Sequence, residues 1–258
     1  ITKSSGFVFR ILKKADEPVE IFDIDNYNIF SFDDKSIYKD LFTRELIASS
    51  YFVIAEYYFE NNDKNKAKIF YELAEETGND MDRIYNELGI AHYKKGLFNE
   101  AANYFIKAIK ISPCDVYFNN LGELYRLSDK PDMAILAYKR VMAINPNIPE
   151  THYSIATVYY RQKDYKNAIN EYSYALKLNP NFSEAWSKLG TLAMEIGNYD
   201  LGITCYTNLI RLRQNDIEAW NNLGIAFGTK GDFKNALNAW ENALKLDPNY
   251  INARINIE

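Results

Sequence analysis

Two histidines and two cysteines are a thin supply of reactive groups for a chain of 258 residues. Cys114 and Cys205 form no CxxC pair and no metal-ligand spacing. His92 and His152 have no third ligand in register, which argues against zinc. No G-x-S-x-G, H-E-x-x-H or phosphate-loop sequence occurs. The carboxylates are scattered and read as solvated surface. These absences exclude the commoner hydrolase, metalloprotease and nucleotide-binding designs. They predict a protein that is not an enzyme and carries no cofactor and no metal.

Positive charge is short as well, with 30 Lys and Arg against 35 Asp and Glu and a net charge of -5. A nucleic-acid binder needs a basic face to displace counterions from phosphates, so no nucleic-acid partner is expected. Long apolar runs are missing too. The longest, Leu46 to Phe59, is interrupted by Ser49, Ser50 and Glu56, whereas a membrane span takes roughly 20 apolar residues. A buried helix is the better reading, with no direct membrane insertion. The chain starts at Ile1, which points to a trimmed or processed product, so the lack of a leader says nothing of compartment. Cytoplasm and periplasm both stay open. The Asn, Lys, Ile and Tyr bias suggests an AT-rich, bacterial genome.

What the chain does have is aromatic residues, 21 Tyr and 15 Phe, and they recur at a fixed step. Tyr71, Phe105, Tyr138, Tyr172, Tyr206 and Trp240 form one series. Ala67, Ala101, Ala134, Ala168, Gly202 and Ala236 form a second. Ala55, Gly89, Gly122, Ala156, Gly190 and Gly224 form a third, and Pro113, Pro146, Pro180 and Pro248 a fourth. All keep a step of 34 residues, with one of 33 near Pro113. Internal periods of this size mean stacked repeats. Each period reads as two helices. In the last, Trp220, Leu223, Gly224 and Phe227 fall at helical spacing, Gly231 ends the helix, and a second helix runs from Phe233 toward Pro248. Two helices approach closely only where side chains are small, so Gly224 and Ala236 are expected to form that contact. Trp220, Phe227 and Trp240 are expected to fill the gaps to the neighbouring unit. One unit cannot bury its own apolar face, so units must stack.

This pattern, W-x2-L-G-x2-Y, then A-x3-F, A and P, resembles the tetratricopeptide repeat. Six units are read, 48–81, 82–114, 115–148, 149–182, 183–216 and 217–250. The resemblance implies an all-α, right-handed α-solenoid. It departs from the pattern most in the fifth unit, with Ala193, Gly202, Leu209 and Gln214 at signature positions, which predicts the loosest joint there. Pro131 opens a second helix, where a missing N–H costs little. In a linear stack Cys114 and Cys205 lie almost three units apart, beyond the roughly 7 Å a disulfide tolerates, so two free thiols are expected. His92 and His152 take core positions, in place of tyrosine and of tryptophan or leucine.

The ends do not fit the repeat. Residues 1–47 read as a non-repeat cap, with a small hairpin of Phe7–Leu12 and Val19–Ile24 around Lys13–Pro18. Helical spacing resumes from about Ser36. Residues 251–258 repeat the spacing of a further first helix through Ile251, Arg254 and Ile257.

In this family the first helix of each pair lines a concave groove, with places two, five, nine, twelve and thirteen of each unit facing inward. The resemblance therefore implies a groove built from Phe52, Glu56 and Phe59; from Arg83, Asn86, Tyr93 and Lys94; from Asn119, Glu123 and Arg126; and from Tyr153, Tyr160 and Arg161. Tyrosine and arginine are enriched at binding hot spots, and the mixture suits a peptide or helix with apolar anchors and acidic groups. Units five and six are more acidic. The family's clamp for C-terminal carboxylates is absent, because Lys at the fifth place and Asn at the ninth never occur together. Asn120 and Asn222 resemble an asparagine ladder for peptide backbone, broken by Val53, Glu87, Ser154 and Lys188. The expected function is a scaffold or adaptor that binds another protein or peptide. Two alternatives stand beside it: a structural assembly subunit of a cell-envelope or motility complex, self-associating through its open C-terminal end, or the targeting arm of a larger enzyme.

Overall fold

The computed structural model describes residues 41–257; the expected hairpin lies outside them. Among the described residues there are 13 helices and no strands. They are α1 (Leu41–Glu60), α2 (Lys64–Thr77), α3 (Asp82–Lys94), α4 (Phe98–Ile111), α5 (Asp115–Leu127), α6 (Pro131–Ile144), α7 (Pro149–Arg161), α8 (Tyr165–Leu178), α9 (Ser183–Glu195), α10 (Tyr199–Leu212), α11 (Ile217–Thr229), α12 (Phe233–Leu246) and α13 (Ile251–Ile257). None is long and apolar enough to cross a membrane. They divide into two compact units, one ending at Leu124 and one beginning at Tyr125.

The turn inside each helix pair is set by backbone geometry. Among the described residues six have positive φ: Asn62, Gly96, Asp129, Lys163, Gly197 and Gly231. Each ends a first helix. The next residue returns its N–H to the carbonyl five positions earlier, as in Asp63 to Tyr58 and Asp164 to Tyr159, both 2.9 Å. This closure satisfies carbonyls that the helix end leaves orphaned. That same residue caps the second helix. The side chains of Asp63, Asp164, Asn198 and Asp232 accept from the N–H three residues on. Pro131 and Pro149 occupy first-turn positions, where no N–H is needed.

The loops between pairs are held differently. The fourth residue of several repeats donates to a carbonyl six residues back. Tyr85 reaches Asn79 (3.1 Å), Trp186 reaches Pro180 (2.8 Å), Trp220 reaches Gln214 (3.0 Å) and Arg254 reaches Pro248 (2.7 Å). His152 stands at this register but turns its Nδ1 to Glu171, at 2.6 Å. Its buried Nε2 has no partner among the described residues. An imidazole is shorter than an indole, and here it spends Nδ1 on a carboxylate rather than on the loop.

In the first unit, α1 packs on α2 and α3 on α4, with α3 also against both helices of the preceding pair. Its core joins Ala48, Ala55, Ala67, Tyr71, Ile84 and Leu88. In the second unit, α7–α8, α9–α10 and α11–α12 form the pairs. Its buried clusters include one around Tyr172, Leu189 and Leu192 and another around Tyr206, Leu209, Leu223 and Ala239. The small residues sit where bulky ones press. A Cβ on Gly89 would lie 2.6 Å from Phe105, and one on Gly224 would lie 2.3 Å from Trp240 Nε1. The expected partner of Gly224 is thereby corrected. The close approach is to Trp240 of the same pair, while Ala236 faces Gly228, its Cβ 3.7 Å from the ideal Cβ position there. Trp240 therefore fills its own hairpin rather than a gap to the next.

In the fifth repeat, expected to be the loosest, Leu209 and Ile210 are buried with Tyr206 and Ala219. The division between compact units falls inside α5. Both thiols are free; Cys205 is buried and Cys114 half-buried. Burial pushes the Cys205 thiol up to about 12, so it behaves as a small apolar side chain.

Candidate partner-binding surface

In the first unit the sequence-derived residues lie on α1, α3 and α5. Phe52, Glu56 and Phe59 are half-buried on one stretch of α1. Phe52 meets Tyr71 edge-on, with ring centroids 6.0 Å apart. Glu56 is already engaged through one oxygen, where Oε1 accepts hydrogen bonds from Tyr71 and from Lys95. Arg83 is exposed but paired with Glu45 at 3.0 Å and with Glu87 at 3.3 Å. Tyr93 packs near Phe98, with centroids 6.0 Å apart. Lys94 is exposed, whereas Asn119 and Glu123 are half-buried.

Asn86 is drawn into a pair that sequence reading did not foresee. Its Oδ1 accepts from Asn120 Nδ2 at 2.8 Å. Asn221 Oδ1 accepts from Asn256 Nδ2 at 3.1 Å in the second unit. Each pair joins the fifth place of one repeat to the sixth of the next. A side-chain amide has two donors and an acceptor, so the Asn86–Asn120 pair keeps an amide donor and a carbonyl acceptor over. The signal was present in the sequence as Asn at i and i+34 in the first pair and i+35 in the second.

In the second unit, Arg126, Tyr153, Tyr160 and Arg161 belong to α5 and α7. Arg161 donates to the Arg126 carbonyl at 3.4 Å, so its guanidinium is partly used. Tyr153 leans on Tyr172 and on Phe182, with centroids 5.6 and 5.1 Å apart. Tyr160 and Tyr165 both donate to Glu195, at 2.7 and 2.8 Å. Those two bonds hold the Glu195 carboxyl below the usual carboxylate range.

The ninth place, assigned by resemblance to the groove, is tied inward instead. Tyr71 donates to Glu56, Tyr172 pairs with Thr157 at 3.2 Å, and Tyr206 bonds Thr191. Where the bulky residue is Phe105 or Trp240, the ninth place is Ile90 or Ile225. Polar meets tyrosine and apolar meets a ring with no hydroxyl. Burial comes first among the causes that push the Tyr172 phenol up to about 12.

Tetratricopeptide-repeat family profiles match residues 48–77, 82–113, 118–150, 156–197, 183–216 and 217–250. The chain is a tetratricopeptide-repeat protein. Curated relatives of this repeat protein match only in part. One is the anaphase-promoting complex subunit CDC16 of Saccharomyces cerevisiae, 29% identical over 117 residues, 42% of this chain and 14% of that protein. Another is the tetratricopeptide repeat domain-containing protein PYG7, chloroplastic, of Arabidopsis thaliana, 29% identical over 69 residues, 26% of this chain and 23% of that protein. The chain thus spans less than a quarter of either. Among solved structures, MamA is similar with a TM-score of 0.60 at 24% identity, covering 66% of this chain and 93% of that one. YrrB, described as having an unusual peptide-binding site, gives 0.59 at 17%, covering 72% and 96%. Pseudomonas aeruginosa pilF gives 0.60 at 14%, covering 82% and 97%. These likenesses show the repeat fold.

Proposed function

We propose that this tetratricopeptide-repeat protein is a non-catalytic scaffold whose first helices bind an extended peptide segment of another protein. The observation that carries it is the Asn86–Asn120 pair. Its leftover amide donor and carbonyl acceptor match the C=O and N–H of one residue in an extended peptide, which face the same side, and backbone contacts of this kind supply affinity without fixing side-chain sequence. Half-buried Tyr93 in the first unit and Tyr153 and Tyr160 in the second are anchors of the kind enriched at hot spots. YrrB's described peptide-binding site makes such a role reasonable on this fold. The test is selection from a displayed peptide library, followed by substitution. Asn86→Ala and Tyr93→Ala should each weaken the selected peptides about tenfold, roughly 1.4 kcal/mol, with helicity unchanged. A library that yields nothing, or peptides indifferent to both changes, would reject the reading.

A second reading, an assembly subunit, is favoured by the exposed apolar side chains of Phe233 (73%), Ile251 (68%) and Ile255 (64%). A self-associating protein should show molar mass rising with concentration in light scattering, and Phe233→Ser should abolish the rise.

A further inference from the structure

Lys95 is an unusual lysine. Its side chain is only 8% exposed. It leaves the turn after α3 and places Nζ 4.0 Å from the Phe59 ring centroid and 3.8 Å from that of Tyr71. The amine also lies 3.4 Å from Glu56 Oε1 and donates to the Tyr71 hydroxyl. One ring face, a phenol oxygen and a carboxylate are a receptor for an ammonium ion. The Phe59 ring offers its negative quadrupole, the Tyr71 hydroxyl a lone pair and Glu56 the countercharge. We propose that Phe59, Tyr71 and Glu56 form a box for the alkylammonium group of a partner's lysine, with Lys95 as its resident, exchangeable occupant. The inference rests on the scaffold reading, and names one side chain the partner must carry.

Three observations support exchange. Burial opposes the charge on Lys95 and lowers its pKa, with Glu56 pulling the other way, so the resident is held by partly cancelling effects. Its position does not oblige a lysine to enter a box. Lys230, at the same register in the sixth repeat, pairs with exposed Asp200 instead. Glu56, at 27% exposure, also leaves the box a solvent-facing side. A tethered occupant competes at an effective concentration of about millimolar or above, so a partner succeeds only with further contacts on the same face.

The test uses the intact chain with lysine labelled at Cε. The Lys95 signal, assigned by its loss in Lys95→Met, should be displaced upfield by the Phe59 ring. The probes are acetyl-Gly-Gly-Lys-Gly-Gly-amide, its norleucine counterpart, and n-butylammonium. The lysine peptide should move the signal toward those of solvated lysines, and the norleucine peptide should not. In Lys95→Ala the emptied box should bind the lysine peptide at least tenfold more tightly than wild type. A signal unmoved at probe concentrations well above the tether's, or equal affinity in the folded Lys95→Ala variant, would overturn the proposal. Movement by n-butylammonium alone would assign the box to small amines and overturn it as a protein contact. If Lys95→Ala fails to fold, the wild-type titration decides. The test reads only the Lys95 signal and its box, so its failure is distinguishable from loss of the peptide contacts at Asn86 and Tyr93.

Discussion

The hydroxyl of Tyr172 lies 3.2 Å from Oγ1 of Thr157, fifteen residues earlier on the facing helix. The same spacing joins Tyr71 to Glu56 and Tyr206 to Thr191. A buried hydroxyl without a partner is costly, so the two positions should be exchangeable only together. Tyr172→Phe should destabilise the protein by about 1 kcal/mol. Adding Thr157→Val should recover most of that, because the pair then imitates Phe105 and Ile90. Urea unfolding of the four proteins of the cycle would measure it; strictly additive effects would deny the coupling.

Gly224 and Gly96 should fail for different reasons. Alanine at Gly224 drives its Cβ into the indole of Trp240, and overpacking of this kind costs about 1–3 kcal/mol. Alanine at Gly96 meets nothing within 4 Å, but φ there is +74°, for about 1 kcal/mol of backbone strain. The Gly224→Ala loss should shrink when Trp240→Phe is added, and the Gly96→Ala loss should not. Thermal denaturation of the single and double variants distinguishes them.

Lys163 pays the strain that Gly96 avoids, with φ of +61°. Lys163→Gly should therefore raise stability, by up to about 1 kcal/mol. A fall in urea midpoint would show that the lysine contributes more than its backbone costs.

His152→Trp should also stabilise, by about 1 kcal/mol. It replaces a buried nitrogen without a partner by an indole of the kind that reaches the loop carbonyl at Trp186 and Trp220. Glu171 loses its partner but is 28% exposed and can be hydrated. Indole absorbance on unfolding reports burial; a lower midpoint with an exposed indole would refute the prediction.

Glu75 predicts an acid sensitivity. Burial raises its pKa, but hydrogen bonds from Lys107 and Tyr104 outweigh this and hold it below the usual value. A lowered folded pKa means stability present above the unfolded value of about 4.3 and lost as pH falls through the folded one. Glu75→Gln should therefore be less stable than wild type at pH 7, and the gap should close below about pH 4. Denaturation midpoints across pH 3–7 check it; a constant gap would mean the carboxylate's charge is not involved.

Much of this was legible in one dimension. The step of 34, the turn residues and the opening prolines all follow from local rules, because a helix, its cap and its stop depend on residues a few positions apart. Even the pairing of the ninth place with the aromatic fifteen residues later was written in the sequence, as Ile against Phe105 and Trp240 and polar residues against tyrosine.

The sequence by itself determined the helices, the turns and the identity of the repeat. Tertiary packing decided which polar side chains are spent inside the protein. Arg83, Glu56 and Arg161 looked like ligand contacts from their register, yet each finds a partner in a neighbouring helix. Lys95 drew no notice and proved to be buried between two rings. Periodicity fixes which way a side chain leaves its own helix. Whether it then meets water, a carboxylate or an aromatic ring depends on helices of the neighbouring repeat, and no local rule carries that.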